Sequence, residues 1–310
     1  MARYVAGRLL VAIPVLIGIT VVSFMIIHLI PGNPAQAMLF GSNPTQQQIT
    51  DLENQLGLNK PLYEQYLTYI GGLLHGDLGI SFVTGRPVAD EILSRAPSTF
   101  ALSAAAMLVA IVLGVSLGVI GGVRPNSLAD RIGRFISVTG VAIPFFWLAL
   151  IFTLVFAVNL RWFPAIGSSG LQSIVLPAAA LGWGYAAILT RLLRGRLIEE
   201  YHSDYIKAAR AKGASGARVL FNHSLRNAVI PTITMIGLQI GNILTGAAVI
   251  EVIFGRPGLG SFLVSSIAAK NIPVVQGTVL FIGVAYVLIN LVVDIFVGVI
   301  DPRTRKKVAA

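Results

Sequence analysis

The apolar positions of the chain gather in six long runs, approximately Leu9–Ile30, Phe100–Val123, Ile132–Val158, Ile174–Thr190, Val229–Ile250 and Val274–Ile300. Each is near the ~20 residues that an α-helix, rising about 1.5 Å per residue, needs to cross about 30 Å of hydrocarbon. The pattern predicts an all-α integral membrane protein with six transmembrane helices. The first run follows Arg3 and Arg8 in the manner of a signal peptide, but its apolar stretch is too long and no small-residue cleavage site precedes "PGNPA". It reads as a retained anchor. Gly114 and Gly118 in the second run, and Gly237 and Gly241 in the fifth, are spaced four apart, which lets helix backbones approach closely. Pro14, Pro144, Pro177 and Pro231 lie in or at the edge of runs, where each frees a backbone carbonyl. They predict bends absorbed by neighbouring helices or, taken together, a bundle that rocks.

Two polar intervals interrupt the runs with helical patterns of their own. In the first, Pro31 to Ser98, six acids stand against three bases. Thr45 is placed to cap a helix that closes at Gly57, and Pro61 fits the first turn of another whose Leu62, Tyr66, Tyr69 and Leu73 share a face. This pair either lies on the outer membrane surface with its tyrosines at the headgroups or forms a docking floor for an extracytoplasmic partner.

In the second interval, 191–228, Ser203 or Asp204 is an N-cap and Gly213 a C′ residue, bounding a helix about 13 Å long. Tyr205, Ala208, Ala209 and Lys212 fall on one face at i, i+3, i+4 and i+7. That face is too narrow to anchor a helix in lipid but is shaped to enter a protein groove. The alternative is an interfacial helix with Lys207, Arg210 and Lys212 on lipid phosphates. A second helix, from about Ser215 through Asn227, would run into the fifth span at Ile230 and Pro231.

Composition agrees with a membrane class: 310 residues with 55% hydrophobic and 12% charged, and a mean hydropathy of +0.80. The net charge of +10 invites a nucleic-acid reading, but the placement of the bases removes it. Seventeen Lys and Arg lie in the amino terminus, the second-to-third connection, 191–228 and the tail; six lie in the other intervals. Such a skew places both termini and the second polar interval in the cytoplasm. Cysteine is absent, and no GxxxxGK[ST] loop occurs. His28, His75, His202 and His223 are scattered without metal-ligand spacing, and no serine nucleophile motif accompanies them. Neither an enzyme nor a metal site is predicted.

Ionisable residues within the spans are few, and the acids are Glu251 at the outer end of the fifth run and Asp294 in the sixth. Asp294, four residues after Asn290 on the same helix face, either serves function or pairs with a base at the cytoplasmic surface. An ion-coupled carrier would place several acids near the midplane and show an internal repeat, and both acids here are off centre. A receptor-like membrane protein that moves nothing is the third class. "FGRPGLG" (254–260) reads as a tight turn, or as an outer gate formed by Glu251, Arg256, Pro257 and Gly258.

These residues resemble a known family. "KAARAKGAS" (207–215) resembles the EAA-type cytoplasmic loop of permease subunits in ATP-binding-cassette (ABC) importers, and "HSLRNAVIP" (223–231) is similar to the segment that follows it in the peptide and nickel uptake branch. Lys207 stands where the motif has glutamate, and Pro231 lies farther from Gly213 than in sugar importers; both departures fit that branch. "LGLNKPLYEQY", "LHGDLGIS", "FGRPGLG", "NIPVVQG" and "NLVVDIFVGVIDPRTR" extend the likeness along nearly the whole chain. The match is nearest the first permease of dipeptide and oligopeptide importers, with nickel or another small solute as the alternative substrate.

The resemblance implies a type I importer core with a long external segment after its first span. Its parts would be an amino terminus and first helix (1–30), an extracytoplasmic helical segment (31–98), a permease core (99–300) containing the coupling loop 191–228, and a basic cytoplasmic tail (301–310). It further implies a bacterial inner-membrane location, among membrane lipid, in a heterodimer with a homologous permease. Two cytoplasmic ATPases and an extracytoplasmic peptide-binding protein would complete the importer. ATP and Mg would be bound by the ATPases, with no cofactor on this chain and no nucleic acid among the partners. Tyr205, Ala208, Ala209, Gly213, Ala214 and Ser215 would form the ATPase contact.

Overall fold

The computed structural model describes residues 2–29, 35–36, 45–168 and 170–300, and among them every extended element is a helix. The basic tail, and residues 30–34 and 37–44 at the opening of the external segment, lie outside the described residues. In chain order the helices are α1 (Ala2–Leu29), α2 (Gln46–Leu56), α3 (Leu62–Leu74), α4 (Val88–Val123), α5 (Leu128–Ala142) and α6 (Phe145–Asn159). Then follow α7 (Gln172–Tyr201), α8 (Asp204–Ala211), α9 (Gly216–Ile253), α10 (Leu259–Ala268) and α11 (Ile272–Ile300).

Five of these (α1, α4, α7, α9 and α11) are long and apolar enough to cross a membrane, and α5 with α6, a pair bent by 115° at a short break, makes six if the pair is one span. The third run is thus two helices, with the bend at the proline that the sequence predicts. Pro144 has no N–H to continue the ladder and drives Ile143 into an extended conformation (φ −96°, ψ 123°), so the helix stops and restarts. The last turns of α6, Thr153–Asn159, widen to π geometry. Other spans outrun their apolar runs. Helix α4 begins at Val88 with Pro97 inside it, α7 continues to Tyr201, and α9 spans 38 residues, about 57 Å at the usual rise. Hydrocarbon ends an apolar run, whereas only a cap or a proline ends a helix.

The chain forms two compact units. The first comprises Thr99–Arg256 with the start of α1 as far as Arg8 and the end of α11 from Ile289. Its centre is α7, whose Leu176, Ala180, Leu181, Ala186 and Leu189 are buried with Leu102, Ala106 and Ala110 of α4, Ala149 of α6, and Ile243 and Ala247 of α9. Gly114 and Gly118 do what their spacing predicts. A Cβ on either would stand 3.0 Å or less from the Leu189 or Leu193 side chain of α7, so these glycines set the α4–α7 distance. Gly237 faces Val293 of α11 in the same way, and Gly241 is buried.

The second unit comprises Leu9–Ser98 and Pro257–Leu288. Thr45 and Gln48 form a reciprocal capping box on α2, and Gly57 ends that helix at φ 68°, as expected. Pro61 takes the N-cap position of α3. Tyr66 and Tyr69 of α3 turn to the protein rather than to headgroups, whereas Tyr63 is exposed. Tyr66 and Thr20 share a hydrogen bond at 2.8 Å, Tyr69 and Ser23 share one at 3.0 Å, and both rings pack on Phe24. Helix α3 thus lies against α1, because a phenol beside an apolar helix gains most from a hydroxyl in its reach. Ser23 also donates to the Gln276 carbonyl (2.9 Å), tying α1 to α11. Val88, Ile92 and Ala96 close the unit's core with Leu259 and Val274.

Gly182 and Gly195 test the packing on α7. A Cβ at Gly182 would stand 2.5 Å from the Ala106 carbonyl oxygen, whereas one at Gly195 would meet nothing. Gly182→Ala is expected to destabilise by about 1–3 kcal/mol. Gly195→Ala is expected to stabilise by about 0.5–1 kcal/mol. Thermal unfolding of the purified protein in detergent reads both.

Candidate functional site

Helix α7 ends at Tyr201 and the chain turns directly into α8. Ser203 occupies the N-cap, but its hydroxyl donates back to the Glu200 carbonyl (2.6 Å) and makes no cap bond to α8. Asp204, in the first turn, accepts from Lys207 Nζ at 2.8 Å. The hydrogen bond and charge of Lys207 hold the Asp204 carboxyl below its ordinary pKa. Its negative charge also suits a helix N-terminus.

The other end is closed by a paired turn. The Gly213 amide donates to the Arg210 carbonyl (2.9 Å) and the Ala214 amide to the Ala209 carbonyl (3.1 Å). Gly213 takes φ +83°, and a Cβ there would meet nothing within 4 Å, so backbone conformation alone demands glycine. Ser215 then caps α9 by accepting from the Arg218 amide (3.4 Å). The predicted second helix is continuous with the fifth span, through an unpredicted π segment at Val219–Ser224.

Two contacts fix α8 in place. Ile206 is fully buried, an anchor that lies off the face of Tyr205, Ala208, Ala209 and Lys212 and so outside its periodicity. The Tyr205 hydroxyl donates to the Glu200 carboxylate on α7 and accepts from Asn227 Nδ2 on α9 at 3.0 Å. Burial, reinforced by the Glu200 bond, raises the phenol's pKa above its ordinary value. The remaining face is open. Tyr205, Ala208, Ala209 and Lys212, with Ala214, Arg218 and His223, line a surface cleft of about 520 Å³. Of the three bases that an interfacial helix would place on lipid, two have partners in the protein. Lys207 pairs with Asp204, and the Arg210 guanidinium lies 5.3 Å from the Tyr201 ring centre.

The other predicted polar residues fall at separate places. Glu251, on α9, is fully buried and accepts from the Thr99 hydroxyl at 2.6 Å. The Arg256 amide donates to the Glu251 carbonyl (2.8 Å), while its Nη1 donates to the Ser173 carbonyl (3.2 Å) and hydroxyl (3.3 Å). Burial lowers the guanidinium's pKa, and the nearby Glu251 charge opposes that shift. Gly255 makes the turn at φ 58°. Pro257 follows, and Gly258 occupies the N-cap of α10, its amide donating to Ser261 Oγ at 3.1 Å. Asp294 pairs with Arg8 at 3.1 Å, and Tyr4 donates to its carbonyl at 3.0 Å. This is the pairing alternative, with Asn290 one turn earlier on α11. Among the described residues no group of three acids or histidines is placed to hold a metal.

No motif marks Asp130 in the sequence. It is fully buried at the start of α5, and Arg194 of α7 grips it through Nε (2.5 Å) and Nη2 (3.1 Å). The only trace in the sequence is a first-turn acid three residues after a capping serine.

Two solved structures share the fold. The inward-facing MetNI methionine ABC transporter matches at TM-score 0.53 and 20% identity, over 68% of this chain and 96% of that one. An amino acid ABC transporter crystallised with histidines matches at TM-score 0.51 and 15% identity, over 69% and 94%. The family model described as binding-protein-dependent transport system inner membrane component matches residues 110–306, and its amino-terminal companion matches 1–103. The chain belongs to this family and is a non-catalytic permease subunit of an ABC importer of the peptide family, in the inner membrane, working with ATPase and substrate-binding partners. The dipeptide transport system permease protein DppB of Alkalihalophilus pseudofirmus is 41% identical, over 98% of this chain and 100% of its own length. The glutathione transport system permease protein GsiC of Escherichia coli (strain K12) is also 41% identical, over 99% and 100%.

Tyr205→Phe removes both bonds that tie α8 to α7 and α9. Hydrogen exchange by mass spectrometry should show the α8 amides opening about tenfold more readily, as loss of roughly 1.4 kcal/mol implies.

Proposed function

We propose that this chain is one half of a heterodimeric permease that admits dipeptides or oligopeptides to the cytoplasm, with α8 as its contact to an ATPase. The observation that carries the proposal is the open face of α8, a rigid helix capped at Gly213 and held between the fourth and fifth spans. Tyr205, Ala208 and Ala209 would enter the ATPase groove, and Gly213, Ala214 and Ser215 would form its rim. Alanines permit close approach and a pinned aromatic ring supplies an anchor. Both termini and α8 would lie in the cytoplasm, as the distribution of Lys and Arg supports. The peptide substrate is supported by the relatives named for dipeptide and glutathione.

ATP and Mg would be held by the two ATPases, with none bound by this chain. Closure of the ATPases would draw each coupling helix inward and tilt the permease pair open toward the loaded binding protein; hydrolysis would reset it. A cavity of about 420 Å³ is lined by Phe100, Ser103 and Met107 of α4, Ile240 and Leu244 of α9, and Ile289 of α11. It supports a partly apolar stretch in the path. Glu251, Arg256, Pro257 and Gly258 would form the outer gate, with the buried Glu251 carboxylate holding α4 through Thr99.

Purification of the tagged chain from native membranes should recover a second permease and P-loop ATPases by mass spectrometry; a transport-competent chain alone would overturn the importer reading. Gly213→Val should insert normally but lose ATPase stimulation by loaded binding protein. Stimulation at the parent level would remove α8 from the coupling role. Glu251→Gln keeps an acceptor for Thr99 without the charge. Transport at saturating peptide should fall about tenfold, the scale of one lost charged hydrogen bond, and unchanged transport would dismiss the gate.

A further inference from the structure

A stroke delivered to α8 has an obvious exit, since α9 follows it in the chain. The structure assigns a second. We propose that Asp130 and Arg194 are positioning residues that carry the stroke backward through α7 into the junction of α4 and α5, and so into the broken third span. This rests on the reading of α8 as the ATPase contact.

Asp130 is where three helices meet. Besides the two bonds from Arg194, its Oδ2 accepts from the Asn126 amide at 2.8 Å, and Arg134 Nε lies 3.6 Å away. Asn126 takes φ 66°, a left-handed conformation that asparagine tolerates. Gly121 near the end of α4 lies so close that a Cβ would be 2.8 Å from Asp130 Oδ1. From Arg194 to Tyr201 is two unbroken helical turns, about 10 Å. At their far end Glu200 receives the Tyr205 hydroxyl and the Tyr201 ring lies beneath Arg210, both from α8.

A bidentate arginine–carboxylate pair resists rotation in a way that a single contact does not. Buried pairs contribute little net stability against apolar replacements, which favours a geometric role here. The α4–α5 junction should therefore turn with α7 as one piece.

The assembled importer in nanodiscs tests this with Asp130→Asn, Arg194→Lys, the neutral double variant Asp130→Asn/Arg194→Gln, and Glu200→Ala. Two readouts are needed: ATPase stimulation by peptide-loaded binding protein, and cross-linking of Ala208→Cys to a cysteine in the ATPase groove. The expected result is full cross-linking with stimulation reduced about tenfold, within the usual span of coupling between sites. The double variant should melt like the parent and still stimulate poorly. Recovery of stimulation together with stability in the double variant would overturn the proposal, as would normal stimulation in the single variants. If the single variants fail to assemble, the double variant and Glu200→Ala decide between the same two outcomes. Failure of Ala208→Cys to cross-link in the otherwise parental importer would overturn the docking reading and this proposal with it.

Discussion

Close approach of helix backbones around α7 is the constraint on which the first unit depends. Lipid tails are as apolar as leucine, so helices gain nothing merely by leaving lipid and must gain by dispersion at short range. The glycines of α4 and the alanines of α7 and α9 supply that range, and the larger residues of α7 fill the spaces left between them. Helix α7 packs against α4, α6 and α9 at once.

Polar groups in such a bundle are expensive, and several of them join one helix to another. Asp294 meets Arg8 where α1 begins, Ser23 joins α1 to α11, and Glu251 accepts from Thr99. These bonds join helices far apart in sequence, so they add direction to contacts that apolar packing alone would leave free to slide. Asp130 is the strongest case, with its carboxylate fully enclosed and satisfied from two sides.

Helix α8 inverts this economy. Its eight residues could not hold a helical form alone, since short isolated helices are marginal in water. Ile206 and the Tyr205 hydroxyl fasten it to the bundle, and the turn at Gly213 stops it cleanly before α9 begins. What remains outward is small, aromatic and basic, and it lines the surface cleft.

Much was legible in the sequence, and for identifiable reasons. Six apolar runs gave the spans because hydrocarbon thickness sets their length. Thr45, Gly57 and Gly213 announced their caps because cap chemistry is local, requiring an acceptor at one end or a left-handed residue at the other. The face of Tyr205, Ala208, Ala209 and Lys212 was readable because helical periodicity is local too. Tertiary structure alone decided the rest. The break at Pro144 depends on whether neighbours absorb a proline, the turn of Tyr66 and Tyr69 toward α1 on a serine and a threonine forty-six residues away, and the grip of Arg194 on Asp130 on two helices meeting across sixty-four residues. Such contacts leave no period and no spacing, because what selects them is the cost of burying a polar group without a partner, and the partner is chosen by the packing.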